Sequence, residues 1–203
     1  MNRRQIPTPR ARHDANQRGD TLIEILVTLM ILLFGLLGLV GIIGRANMAE
    51  LESFQRIQAL EIVQDMAARL NANRKVAACY SNFNAGVTLG NVDPPASVPA
   101  CPLGSVQQQT RAAADLTAWN TLLKGGIEVL SSNAQVGAAQ GAIGCITQES
   151  ANVYLVAVAW QGLAKTAAPT LSDGTVFPCG SGYFGDNTLH RVVTTKVQIG
   201  KLS

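Results

Sequence analysis

At 203 residues the chain has room for one membrane segment and one modest globular domain, but not for two full domains beside an anchor. Charged residues make up 14% of it and hydrophobic residues 47%, and the shortage of charge has a local cause near the N-terminus. Arg3, Arg4, Arg10, Arg12 and Arg18 against Asp14 place +4 in the first eighteen residues, so the net charge of +3 leaves about −1 for the rest. A near-neutral body without a cationic cluster is not built to neutralise phosphates, so nucleic acid is not an expected partner.

Ile25 to Gly44 reads ILVTLMILLFGLLGLVGIIG, twenty uncharged residues, enough to span a hydrocarbon core at about 1.5 Å per residue. The arginines precede it, so the positive-inside bias leaves residues 1–20 cytoplasmic and exports the body. A cleaved secretory signal fits poorly: the run is overlong and offers only Gly44-Arg45-Ala46 as a cut. A plain anchor gives no reason for Glu24, a carboxylate within a turn of the first apolar residue, beyond tolerance at a helix N-terminus near the interface.

Arg18-Gly19-Asp20-Thr21-Leu22-Ile23-Glu24-Ile25-Leu26-Val27 resembles the prepilin signature of the type IV pilin family: a basic residue, glycine, one variable residue, then TLIE and an aliphatic run. The resemblance implies that a prepilin peptidase cuts between Gly19 and Asp20 and that the new amine of Asp20 is methylated. A glycine suits the cut, because without a Cβ the backbone bends into a protease cleft. Glu24 becomes the fifth mature residue, whose carboxylate in this family pairs with the terminal amine of a neighbouring subunit. Such a pair is tolerated in a low dielectric where each ion alone is penalised. The sequence departs from the family at Asp20, where an apolar residue such as phenylalanine is usual. Gly35-Leu36-Leu37-Gly38-Leu39 and the stretch from Gln55 to Arg74 are similar to the PilV kind of type IV pilus modification protein.

From Arg45 to Asn73 there is neither proline nor glycine, so the apolar helix is expected to continue as one rod of about 50 residues, roughly 75 to 80 Å long. Gly35, Gly38, Gly41 and Gly44 recur every third residue, where small residues permit close helix approach or bending. At about 100° per residue, Ala59, Leu60, Val63, Met66, Ala67 and Leu70 form a stripe that should seat the protein's own sheet. Leu51, Phe54 and Ile57 fall on the opposite side and are expected to pack against neighbouring subunits.

Ser81 to Ser105 is crowded with Gly, Pro, Asn and Ser and reads as an irregular connection. Gln107 to Lys124 has helical composition with Leu116, Trp119, Leu122 and Leu123 on its apolar side and Gly125-Gly126 as a stop. Ile127–Leu130, Ala142–Thr147, Asn152–Trp160 and His190–Ile199 read as strands, with a hairpin turn at Glu149 to Asn152 and Val193, Val197 and Ile199 facing inward. Asn152–Trp160 is apolar on both alternating sets, which suits a central strand covered on both faces.

Cys79, Cys101, Cys145 and Cys179 all follow the apolar segment, and an even count in an exported body points to disulfides, whose connectivity the sequence leaves open; a 79–101 bridge would restrain the irregular connection and make 145–179 the second pair. Zinc is the rival, but no C-x-x-C occurs and the histidines are His13 and His190 alone. Gly180-Ser181-Gly182-Tyr183-Phe184-Gly185 satisfies the dinucleotide fingerprint G-x-G-x-x-G, but Pro178 precedes it and a strand follows, so it reads as a loop. His190 has no nucleophile motif beside it and the acids are scattered, so no catalytic residues, metal or cofactor are expected.

The expected fold is α+β, a long N-terminal helical spine packed on a small antiparallel sheet, which is also what the resemblance implies. Its parts are a leader at 1–19, a transmembrane half-helix at 20–44, an amphipathic half at 45–74 and a periplasmic head at 75–203. The resemblance further implies a minor pilin of the inner membrane that is incorporated into an extracellular pilus. Its partners would be other minor pilins, the major pilin, the prepilin peptidase and the assembly machinery. A minor pseudopilin of type II secretion shares leader, acid and spine, and a ligand-binding pilin, an adhesin or a DNA receptor, is the third reading.

Overall fold

The computed structural model describes residues 20–126 and 141–200, with side chains from Leu22 onward. It divides into two compact units, one ending at Asn47 and one beginning at Met48. Helix α1, Asp20–Ala72, contributes to both. In the first unit it is apolar and exposed along its length from Leu22, and by length and composition it can cross a membrane.

Among the described residues the second unit holds the rest of α1, a single turn α2 (Ala77–Tyr80), helix α3 (Val106–Leu123) and four strands: β1 (Val87–Gly90), β2 (Ile143–Ser150), β3 (Val153–Gln161) and β4 (His190–Gln198). The strands form one antiparallel sheet in the order β1-β2-β3-β4, each beside its neighbour in sequence. This is a pilin-like α+β fold, with the helix packed on a four-stranded antiparallel sheet.

Strand alternation divides the core into two layers. Ile146, Tyr154, Val156, Val158, Trp160, Val193 and Val197 face the helices, where Ala59, Ile62, Val63, Met66 and Leu70 of α1 and Leu116, Trp119 and Leu123 of α3 cover them. On the other face Ile143, Cys145, Ala157 and Ala159 are covered by Phe177, Cys179 and Phe184 from the connection between β3 and β4. The central strand β3 is therefore buried on both sides, as its doubly apolar sequence required.

Close approach fixes α3 on the sheet. A Cβ at Gly144 would lie 2.3 Å from the Trp119 ring and 2.6 Å from Leu123, so only glycine lets the indole lie on β2. The Trp119 Nε1–H donates to the carbonyl of Ile62 at 3.0 Å, tying α3 to α1. The N-terminus of α3 carries a capping box, in which Ser105 and Gln108 satisfy each other's backbone N–H groups.

The structure corrects two expectations within the second unit. Leu60 of the expected core stripe is 37% exposed, and Ile62 is buried in its place, because at about 100° per residue Leu60 lies about 100° round the helix from Ala59 and Ile62 only about 60°. The stretch Ser81 to Ser105 is not wholly irregular, since it contains β1, whose Val87 and Leu89 are buried. The four residues Val87–Gly90, which follow Gly86 and end on Gly90, both at positive φ, are too few to show alternation. The expected strand Ile127–Leu130 lies outside the described residues.

Candidate functional site

The residues that bear on processing and assembly lie on α1. From Leu22 to Gly44 the sole charged side chain is Glu24. It is exposed on the helix surface, with no hydrogen-bond or ion-pair partner among the described residues. Thr28, the one hydroxyl in the apolar run, donates to the carbonyl of Ile25 at 2.8 Å and so exposes no free donor. Helix α1 begins at Asp20, and Gly19 lies outside the described residues. A carboxylate at the head of an otherwise neutral apolar helix can form an ion pair with an amine brought to it, and such a pair is strengthened where water is excluded.

Further along α1, Leu51, Phe54 and Ile57 are 53%, 57% and 52% exposed, while Ala59, Val63, Met66 and Leu70 are buried under the sheet. The spacing of three residues places these three side chains on one flank, next to Leu60 and Met48, which are also exposed. An apolar flank of this kind on a folded head marks a surface that gains by being covered. The same part of the helix is tied to the sheet by Glu52. Its Oε1 accepts from the backbone N–H groups of Leu163 and Ala164 and from the Arg191 guanidinium at 3.2 Å. Arg191 also donates to the carbonyls of Thr188 and Ala164. Gly162 makes room for it, because a Cβ there would lie 2.8 Å from the guanidinium carbon.

The cysteines form two bridges, Cys79–Cys101 and Cys145–Cys179. The first ties α2 to the segment before α3, and the second pins the β3–β4 connection onto β2. Gly180, Gly182 and Gly185 all have positive φ in that connection. They lead to a three-residue 3₁₀ turn, Asn187–Leu189, which presents no helix N-terminus to a pyrophosphate.

Sequence reasoning missed a polar centre between the helices. Asp115 of α3 is 2% exposed. It accepts from the Tyr80 hydroxyl at 2.6 Å, from Arg69 at 3.0 Å and from Arg111 at 3.0 Å. Asn73 donates to Tyr80 and to the carbonyl of Gln108. Burial, then the Asp115 carboxylate, holds the Tyr80 phenol well above its usual range. The Arg69 guanidinium is pushed up by its hydrogen bond to Asp65, against desolvation, with Asp115 adding to the rise. Every member is satisfied within the network, so it fixes how α1, α2 and α3 meet and leaves no poised group for chemistry.

The family description "Prokaryotic N-terminal methylation motif" matches residues 14–40, the segment that holds Gly19, Asp20, Glu24 and the first part of the apolar helix. Comparison with curated proteins and with solved structures finds no match. The motif implies processing by a prepilin peptidase and dealings with pilus or secretion machinery, and with the hydrophobic helix it points to anchoring in the inner membrane. Proteins of this kind are structural and generally not enzymes. The chain carries a prepilin-type N-terminal methylation motif at the head of a hydrophobic helix, on a pilin-like fold with two disulfides, and is type IV pilin- or pseudopilin-like.

Proposed function

We propose that the chain is a minor pilin of the type IV pilus, of the PilV kind. It is cut between Gly19 and Asp20, methylated at Asp20 and assembled with other minor pilins to prime or tip a fibre of the major pilin. Before assembly it rests in the inner membrane with its head in the periplasm. The observation that carries this reading is Glu24, a single carboxylate ahead of a neutral apolar run, inside the matched segment 14–40. Cleavage creates the positive terminus that such a carboxylate needs in lipid. The exposed flank of Leu51, Phe54 and Ile57 supports a second contact between subunits.

Mass spectrometry of the protein from cells with and without prepilin peptidase tests the reading. The expected product begins at Asp20 with one added methyl group and is lost without the peptidase. A native protein that retains residues 1–19 in cells with an active peptidase refutes it. Deleting the protein and scoring twitching motility against exoprotein secretion separates the pilus role from that of a secretion pseudopilin.

A further inference from the structure

Residues 162–189, between β3 and β4, lie over the sheet face opposite the helices and bury Phe177, Cys179 and Phe184 there. Little regular structure holds this strap: a single bridge, Thr170 with Val176, and the 3₁₀ turn at Asn187–Leu189. It is fastened to β2 by Cys145–Cys179. A Cβ at Gly180 would lie 2.7 Å from Ala159 and 2.9 Å from the Phe184 ring, so the strap is pressed close against β3.

His190, where the strap joins β4, is 1% exposed. Its Nε2 lies 2.8 Å from the carbonyl oxygen of Cys179, and the Phe184 ring is 5.5 Å away, centroid to centroid. A carbonyl can only accept, so Nε2 carries the hydrogen and the neutral ring leaves a bare lone pair at Nδ1. That Nδ1 is buried and has no hydrogen-bond partner among the described residues.

We propose that His190 is a proton-sensitive latch for the strap: neutral, it holds the Cys179 carbonyl, and a proton taken from solvent at Nδ1 releases the strap and opens the Cys145–Cys179 bridge to solvent. The added N–H would find no acceptor in place, and the added charge would sit in an apolar layer, two costs that lifting removes. The neighbouring charges do not relieve it. Arg191, its chain neighbour, repels a second cation, and Gln161, paired across from it on β3, is uncharged. Asp186 on the strap is held by Lys165 at 2.9 Å and by the Thr188 N–H.

Burial, and after it Arg191, hold the docked imidazole below its usual value of 6.5, against the opposing hydrogen bond that the ring donates to the Cys179 carbonyl. A lifted strap frees the ring to titrate near about 6.5. Between the two values the lifted form binds more protons, so docking is complete above that window and weakens as pH falls through it.

The test uses the full-length protein in detergent micelles and a phosphine reductant that is active in acid. Alkylation and mass mapping give the reduction rate of Cys145–Cys179 divided by that of Cys79–Cys101 in the same molecule. Between about pH 7.5 and about pH 5 the wild-type ratio should rise roughly threefold or more. In His190→Gln, whose amide can still donate to Cys179, it should stay flat. A flat wild-type ratio overturns the latch, and so does an equal rise in His190→Gln. Should that variant not fold, amide exchange over residues 177–186 of the wild type, corrected for intrinsic rates, decides: unchanged protection across the same pH range overturns the proposal.

Discussion

Replacing Asp115 by alanine removes three accepted hydrogen bonds at once, and their surroundings set the cost. The Tyr80 hydroxyl is in a fully buried residue, and its bond to Asp115 is 2.6 Å long, so the variant leaves a buried donor without an acceptor, at about 1–3 kcal/mol. The Arg69 and Arg111 side chains are 24% and 65% exposed and can turn to water, which limits each of their contributions to about 0–1 kcal/mol. The expected loss is about 1–5 kcal/mol of stability in the head. Trp119 and Trp160, the two tryptophans, are both buried there, so urea unfolding of the full-length protein in micelles can be followed by their fluorescence. Tyr80→Phe removes the donor instead of the acceptor, and the double variant should cost less than the sum of the singles by about 1–2 kcal/mol. A loss below about 0.5 kcal/mol for Asp115→Ala, or strict additivity in the cycle, would refute the view that this carboxylate organises the helices.

Tyr80 also predicts an alkaline limb. Its folded pKa lies above the ordinary 10.0, so the unfolded chain releases this proton first, and stability should fall as pH rises above about 10. Tyr80→Phe should flatten that fall in pH-jump unfolding. Gly144→Ala forces a methyl into the Trp119 ring and should cost about 1–3 kcal/mol by overpacking, with Trp119 fluorescence shifted in the folded state. The bridges close separations of 22 and 34 residues, and replacing either pair by serine should lower stability by roughly 3–4 kcal/mol in the chain-entropy model. Leu51→Glu with Phe54→Glu should leave the thermal unfolding of the head within about 0.5 kcal/mol of wild type, since both are exposed. The same pair should abolish incorporation into pili, scored by immunoblot of sheared fibres.

Patterns repeated over many residues were legible from sequence. The apolar run that ends at Gly44 and the stripe through Val63, Met66 and Leu70 announce α1, and the double apolar alternation of Asn152–Trp160 announces a strand covered on both faces. The helix expected at Gln107–Lys124 is α3, Val106–Leu123, displaced by one residue because Ser105 takes the cap. What stayed hidden depends on pairing at a distance. Asp115 meets Tyr80 and Arg69 across 35 and 46 residues, and Glu52 meets Arg191 across 139. In one dimension each looks like an ordinary surface charge. His190 looked like the start of a strand, and its burial follows only from a strap whose path no local propensity encodes.

Among the described residues the sheet pairs each strand with the next along the chain, yet the stripe on α1 and the strands it covers lie far apart in sequence. A growing polypeptide therefore presents Val63, Met66 and Leu70 well before Val156, Val158 and Val193 exist to receive them. At ordinary synthesis rates that interval is on the order of ten seconds. During it the greasy side of the spine has no cover of its own and invites self-association, so a holding chaperone that shields it until the last strand arrives should raise yield.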